Sequence, residues 1–290
     1  GIDGDFGPKT EAAYNLYRAF YTPLVPEGQS VDGYMTHFAD LAQRDARTYG
    51  ISTAAAAAIR LAVLRTGVDF GYMMELSSAE SGFNPSITAT TSSATGLYQF
   101  TEDTWLQTTN RYGDWYGAQH LAGQMDNTYD MNGLLVGRVE NPFIRVTAFD
   151  LRSQPHMAAL MGAEFQQRNR FRIECELGRP LNRTEMYFGH FLGAEGAITF
   201  LQNRARNPRG SAAAAIPEQA EANRNVFYSR GRRGRLIPRT YDEVYAFFNR
   251  KFDRAIYEDN GNVAALGIRL RSPQEAHMAA TPAQGSMDTA

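Results

Sequence analysis

Cysteine is almost missing from this chain: Cys175 is the single one in 290 residues. No disulfide can close within it, and a lone thiol reads as a small core residue with no chemical role. There is no excess of one charge sign: 29 Lys+Arg stand against 31 Asp+Glu, a formal net charge of −2, which gives no reason to invoke nucleic acid. There is no apolar run of about 18 residues, so no transmembrane helix is expected. Metal-ligand spacing and a phosphate-binding glycine loop are both absent from the pattern, and no metal or other cofactor is expected. No signal peptide is visible, but the chain opens on Gly1 inside a motif rather than on methionine, so this assigns no compartment. What remains, 43% hydrophobic and 21% charged residues, fits a soluble globular protein of one large or two small domains.

The informative stretch is residues 73–105. Met73, Leu76, Glu80 and Phe83 recur at three- and four-residue spacing, which places them on one stripe of a helix. A carboxylate in line with core-facing residues costs several kcal/mol to bury charged, which favours the protonated form a general acid works from. Glu75 lies well round the helix from that stripe and reads as a solvated surface charge. Gly82 and then Asn84-Pro85 end the helix. Seven serines and threonines between Ser86 and Thr95 make a loop too polar for a core and suited to lining a sugar cleft. Gly96 permits a tight backbone on the way back. Thr101 is the N-cap of a further helix, with Glu102 and Asp103 in its positive first turn and Trp105 as its anchor.

These residues carry a resemblance. Ala79-Glu80-Ser81-Gly82-Phe83-Asn84-Pro85, Ser93-Ala94-Thr95-Gly96-Leu97-Tyr98-Gln99-Phe100 and Thr104-Trp105, in that order and spacing, resemble the soluble lytic transglycosylase (SLT) domain. Tyr98 stands where the commonest form of that family has methionine. The run Thr66–Tyr72 and the later His190-Phe191-Leu192-Gly193 are similar to a subgroup that includes phage-borne and α-proteobacterial proteins. The resemblance implies a mainly α, lysozyme-like fold of the SLT and goose-type lysozyme kind. It also implies action on the MurNAc–GlcNAc bonds of peptidoglycan, with Glu80 as the catalytic acid. Ser81, Gly96, Tyr98, Gln99, His190 and Tyr228 are the implied substrate-side residues. His190 reads either as a ligand to the acid or to a substrate acetamide, or as a satisfied core histidine.

Around this stretch the chain divides into four parts. Residues 1–22 hold Asp3-Gly4-Asp5-Phe6-Gly7-Pro8-Lys9-Thr10, similar to the last repeat of the small helical peptidoglycan-binding domain, and read either as a C-terminal remnant of that domain or as an ordinary turn and helix. Residues 23–50 are a linker and a helix, the linker reaching to about residue 35. Residues 51–256 are the catalytic domain, and 257–290 are a polar, largely disordered tail. Arg111, Tyr112, Trp115, Tyr116 and His120 form either a sugar-stacking wall or core. A helix covers Pro155–Arg168, in which Glu164 is structural, and an amphipathic helix covers Tyr241–Ile256. Gly193 and Gly196 form a turn between two helices. Five arginines between Arg230 and Arg239 either attract stem-peptide carboxylates or belong to a solvated loop.

Most glycosidases need two carboxylates flanking the bond, and the motifs supply one near Glu80. One suffices if the substrate brings its own nucleophile, the muramic acid C6 hydroxyl, which is the transglycosylase reaction the resemblance implies. A hydrolysing muramidase on the same scaffold and a non-catalytic wall-binding part of a phage tail are the alternatives. The expected partner is the glycan strand, and the expected place is the cell envelope (periplasmic or secreted) or a phage virion assembly.

Overall fold

The computed structural model describes residues 30–121, 124–129, 135–252 and 256–257. The peptidoglycan-binding-like run at 1–22 and the tail beyond 257 lie outside them. The protein is mainly α. In chain order the helices are α1 (Val31–Tyr49), α2 (Thr53–Thr66), α3 (Phe70–Ser81), α4 (Glu102–Tyr112), α5 (Pro142–Asp150), α6 (Pro155–Leu177), α7 (Arg183–Arg206), α8 (Ala212–Ala215), α9 (Pro217–Ala222), α10 (Arg224–Phe227) and α11 (Tyr241–Asn249). Two antiparallel ribbons complete the set: β1 (Asp126–Tyr129) with β2 (Leu135–Arg138), and β3 (Tyr228–Arg230) with β4 (Leu236–Pro238). The described residues form two compact units. One comprises 30–70 and 80–163, the other 71–79 and 164–257.

In the first unit, α1 begins at Val31, earlier than the Pro/Gly signals imply, because the Ser30 hydroxyl accepts from Gly33 N–H and caps it. Ser52 does the same for α2. The alanines at the start of α2 leave room for α1, and α2 is buried from Ala55 to Thr66. That burial includes Arg60, whose guanidinium meets the Asp45 carboxylate of α1 at 2.6 and 3.2 Å and lies 3.6 Å from the centre of the Phe70 ring. A charge this deep is tolerated because its partner is two-pronged. Trp105 is fully buried in α4 and donates its indole N–H to Ala148 O of α5. Strand β2 lies so close to α4 that a Cβ at Gly137 would sit 2.4 Å from Leu106 Cβ.

In the second unit the core is aromatic. Phe188 stacks on Phe200 at 4.3 Å, Tyr187 on Phe252 at 3.9 Å, and Val244 and Phe248 of α11 close over them. Helix α6 runs on to Leu177, beyond the expected Arg168. Helix α7 passes it closely at Gly189, where a Cβ would meet Ile173 Cδ1 at 2.9 Å and where Asn169 donates to the Gly189 carbonyl. The expected two-glycine turn is a break inside α7 at Gly193 alone (φ 70°, ψ 170°). Helix α11 stops at Asn249, short of the expected Ile256. The chain leaves it so that Phe252 can enter the core and accept from the Thr184 hydroxyl at 2.7 Å.

Candidate functional site

Helix α3 ends where its sequence says it should. Gly82 is left-handed (φ 58°), and Phe83 follows it in the same region (φ 64°), an uncommon conformation for an aromatic residue that costs about 1 kcal/mol or more. Asn84 then accepts from Ser86 N–H through its side chain and completes the reversal. Met73 and Leu76 are fully buried, as the stripe requires, but Glu80 sits on the last turn, where the stripe emerges, and is half-buried. The buried carboxylate of this helix is Glu75, only 4% exposed, which corrects its reading as a surface charge. Its counter-ion is Arg183, 3.9 Å away, and the Arg183 guanidinium rests against the backbone at Gly71, where any side chain would collide with it.

The hydroxyl-rich segment is a small meander. Ala89 N–H bonds Ala94 O, and Gly96 N–H bonds Ile87 O. Thr95 and Phe100 exchange both backbone bonds, at 3.0 and 3.1 Å. The side chains of Ser86, Thr88, Thr90, Thr91, Ser92 and Ser93 are exposed. The Ser81 hydroxyl is buried and donates to Leu97 O at 2.9 Å, which ties the residue after Glu80 to the turn at 96–99. Gly96 has φ 84°, and a Cβ there would lie 2.3 Å from Arg152 O. Gln99 is also left-handed (φ 48°), and its Nε2 donates to Ile87 O and Gly96 O at 3.2 and 3.1 Å. Two strained non-glycine residues thus bracket the segment that follows Glu80.

Tyr98 departs from its expected substrate-side role. It is 2% exposed, its ring lies against Gly162 of α6, and burial drives its phenol well above the usual value. Its part is to pin the meander to α6, not to present a hydroxyl to a ligand. The residue that sequence reasoning passed over is Arg152. It is buried, lies 4.5 Å from the centre of the Phe149 ring, and its Nη1 donates to Ser93 O at 2.8 Å and to Phe100 O at 3.3 Å, holding both ends of the returning segment 93–100. Nothing in the local pattern around Phe149-Asp150-Leu151-Arg152 signals this, because both acceptors are backbone carbonyls far along the chain.

The carboxylates that open α4 are accounted for by structure. Thr101 caps the helix, Glu102 and Asp103 lie in its first turn, and Glu102 is ion-paired with Arg145 at 2.8 Å. Of the aromatic cluster, Tyr112 and Tyr116 are core. Trp115 is half-buried and edge-on to Tyr112, while Arg111 and His120 are exposed. Among the described residues no group of three His, Cys, Asp or Glu side chains is placed to hold a metal ion.

Glu80, Ser81, Gly96, Tyr98 and Gln99 belong to the first unit, His190 and Tyr228 to the second. There His190 stacks on Tyr187 and takes Phe165 edge-on. Gln166 Nε2 lies 3.0 Å from its Nδ1, and Gln166 Oε1 accepts from the Tyr72 hydroxyl at 2.9 Å. An amide so oriented makes Nδ1 the acceptor and puts the ring proton of neutral His190 on Nε2. Tyr228 opens β3, half-buried at the edge of the aromatic core.

His156, at the start of α6, gives the first unit a pH dependence. Burial lowers its imidazole to about 4 from an ordinary 6.5. Above pH 6.5 the ring is neutral folded and unfolded, and stability is at its fullest. As pH falls from 6.5 towards 4 the unfolded chain binds a proton that the folded chain does not, and stability drops by about 2 kcal/mol, allowing for the ring's partial exposure. His156→Gln should remove this loss, seen as urea midpoints that fall less than the wild type's between about pH 7 and about pH 4.5.

No protein-family model matches the chain.

Proposed function

We propose that this chain is a peptidoglycan lytic transglycosylase on a lysozyme-like scaffold, with Glu80 as its single general acid and base. The observation that carries the reading is the setting of Glu80. It is a half-buried carboxylate on the last turn of a helix that is buried from Phe70 to Ser77, tied through Ser81 to a braced meander edged with exposed hydroxyls. Strained backbone at Phe83 and Gln99 within such a segment is typical of sites that trade local stability for positioning.

In this mechanism the protonated Glu80 carboxyl gives its proton to the glycosidic oxygen as the bond from that oxygen to C1 of the muramic residue breaks. The resulting carboxylate then takes the proton of the C6 hydroxyl as the C6 oxygen bonds to C1. The product is a 1,6-anhydro sugar, Glu80 ends protonated as it began, and no water is consumed. The N-acetyl group beside C1 can assist as the bond breaks. Ser81 and Gly96 act by fixing the meander against the helix, and Gln99 holds its turn. Exposed serine and threonine hydroxyls offer hydrogen bonds to a polar glycan. A glycan-strand partner places the protein in the cell envelope or in a phage virion.

Digestion of sacculi in heavy-oxygen water tests this. The expected result is muropeptides with no label at the newly formed ends. Label at those ends would identify hydrolysis, the muramidase reaction, and overturn the reading.

A further inference from the structure

The proposed chemistry makes no use of the β3–β4 ribbon. Residues 222–241 hold six arginines and no acidic residue, in a chain whose net charge is −2. Two of the six are engaged locally. Arg224 pairs with Glu221, and Arg239 donates to Asn225 O and Val226 O. The other four, Arg230, Arg232, Arg233 and Arg235, are exposed, and none makes an ion pair or side-chain hydrogen bond among the described residues. Leu236 and Ile237 follow directly, 42% and 47% exposed. In the ladder Leu236 stands opposite Arg230, and Ile237 opposite Ser229.

This is an ordered projection. Gly231 N–H bonds Arg235 O at 2.8 Å, Arg233 and Gly234 turn the tip in left-handed conformation, and Arg239 N–H bonds the carbonyl of Phe227, a fully buried residue, at 2.8 Å. A ribbon fixed at its base and bearing four unengaged guanidinium groups beside two exposed aliphatic side chains has two affinities at once. Guanidinium forks match phosphate oxygens, and Leu236 and Ile237 gain by leaving water. Arginine stems can lie along an apolar boundary while their heads reach phosphates. Neither a soluble polyanion nor a glycan strand gives the aliphatic pair anything to enter, and a single-stranded nucleic acid calls for exposed rings to stack on. The surface of a bilayer with anionic phospholipids satisfies both halves.

We infer that the β3–β4 ribbon docks this protein on an anionic phospholipid surface, its arginines on headgroup phosphates and Leu236 and Ile237 at the acyl boundary. The inference does not depend on the transglycosylase reading.

The test is co-sedimentation of the full chain with vesicles of phosphatidylcholine, with and without phosphatidylglycerol. Binding is expected only with phosphatidylglycerol and should weaken with added salt. Each arginine near such a surface contributes roughly fivefold, so Arg→Gln at all four positions should lower partitioning by about a hundredfold or more. Ile237→Trp, in an otherwise native chain, should give an indole emission that shifts to the blue on the anionic vesicles. Absence of vesicle binding, or binding that survives the four Arg→Gln changes, would overturn the inference. So would vesicle binding that leaves the introduced indole's emission unshifted, together with equal capture of polyphosphate, which would identify a polyanion site instead.

Discussion

Glu80→Gln should lower the rate of glycan cleavage by about 10³-fold or more, towards the upper end of what general acid–base groups contribute, because the mechanism uses this one side chain first as acid and then as base. The amide matches the carboxyl in shape and can accept hydrogen bonds, but it has no proton to give at neutral pH. Glu80 is half-buried at a helix end, so the substitution opens no cavity, and thermal stability should change by less than about 1 kcal/mol. Binding to sacculi should persist. Steady-state rates, melting curves and pull-down on sacculi separate these effects. A variant that cleaves at the wild-type rate removes Glu80 from the mechanism, whereas a variant that is inactive and unfolded implicates structure instead.

Gly96→Ala should be the most damaging single-methyl addition near the site. Its φ of 84° strains any residue with a Cβ, and that Cβ would lie 2.3 Å from Arg152 O, a backbone atom with no freedom to swing aside. Strain and collision together should cost about 3 kcal/mol or more, on the order of 10 °C in Tm. Gly82→Ala is the matched control. Its φ is also positive, 58°, but nothing lies within 4 Å of the added atom, so only the backbone term of about 1 kcal/mol applies. Equal losses in the two variants would show that the approach of Arg152 to the meander is not as described. Because Arg152 also holds Ser93 and Phe100, the Gly96 variant should lose activity along with stability, and Gly82→Ala should lose little.

The local signals around the site were legible in the sequence because they act over one to four residues. Gly82 ends α3, Thr101 caps α4, and Gly96 is left-handed for reasons written in the residue itself. Signals that depend on a distant partner were not legible. Glu75 is buried with the Arg183 guanidinium 3.9 Å from it, and no periodicity in α3 announces Arg183. Tyr98 is buried because Gly162 leaves a place for its ring on α6. Arg152 serves the meander through carbonyls, which every residue has, so its role carries no residue-type signature. The same holds for His190, whose tautomer is set by Gln166 and Tyr72 on other helices. Helix α11 ends early for a tertiary reason, the insertion of Phe252 into the aromatic core. The mainly α class is what the resemblance implied, while the division into two units that split α3 and α6 between them had no signal in the sequence.

The most direct test of Glu80 as the sole acid and base is mass spectrometry of the soluble products released from purified sacculi by the wild-type chain and by Glu80→Gln. The account predicts muropeptides ending in anhydro-muramic acid, one water lighter than their hydrolysed counterparts, from the wild type and none from the variant. Reducing-end products from the wild type, or anhydro products from both proteins, would contradict it.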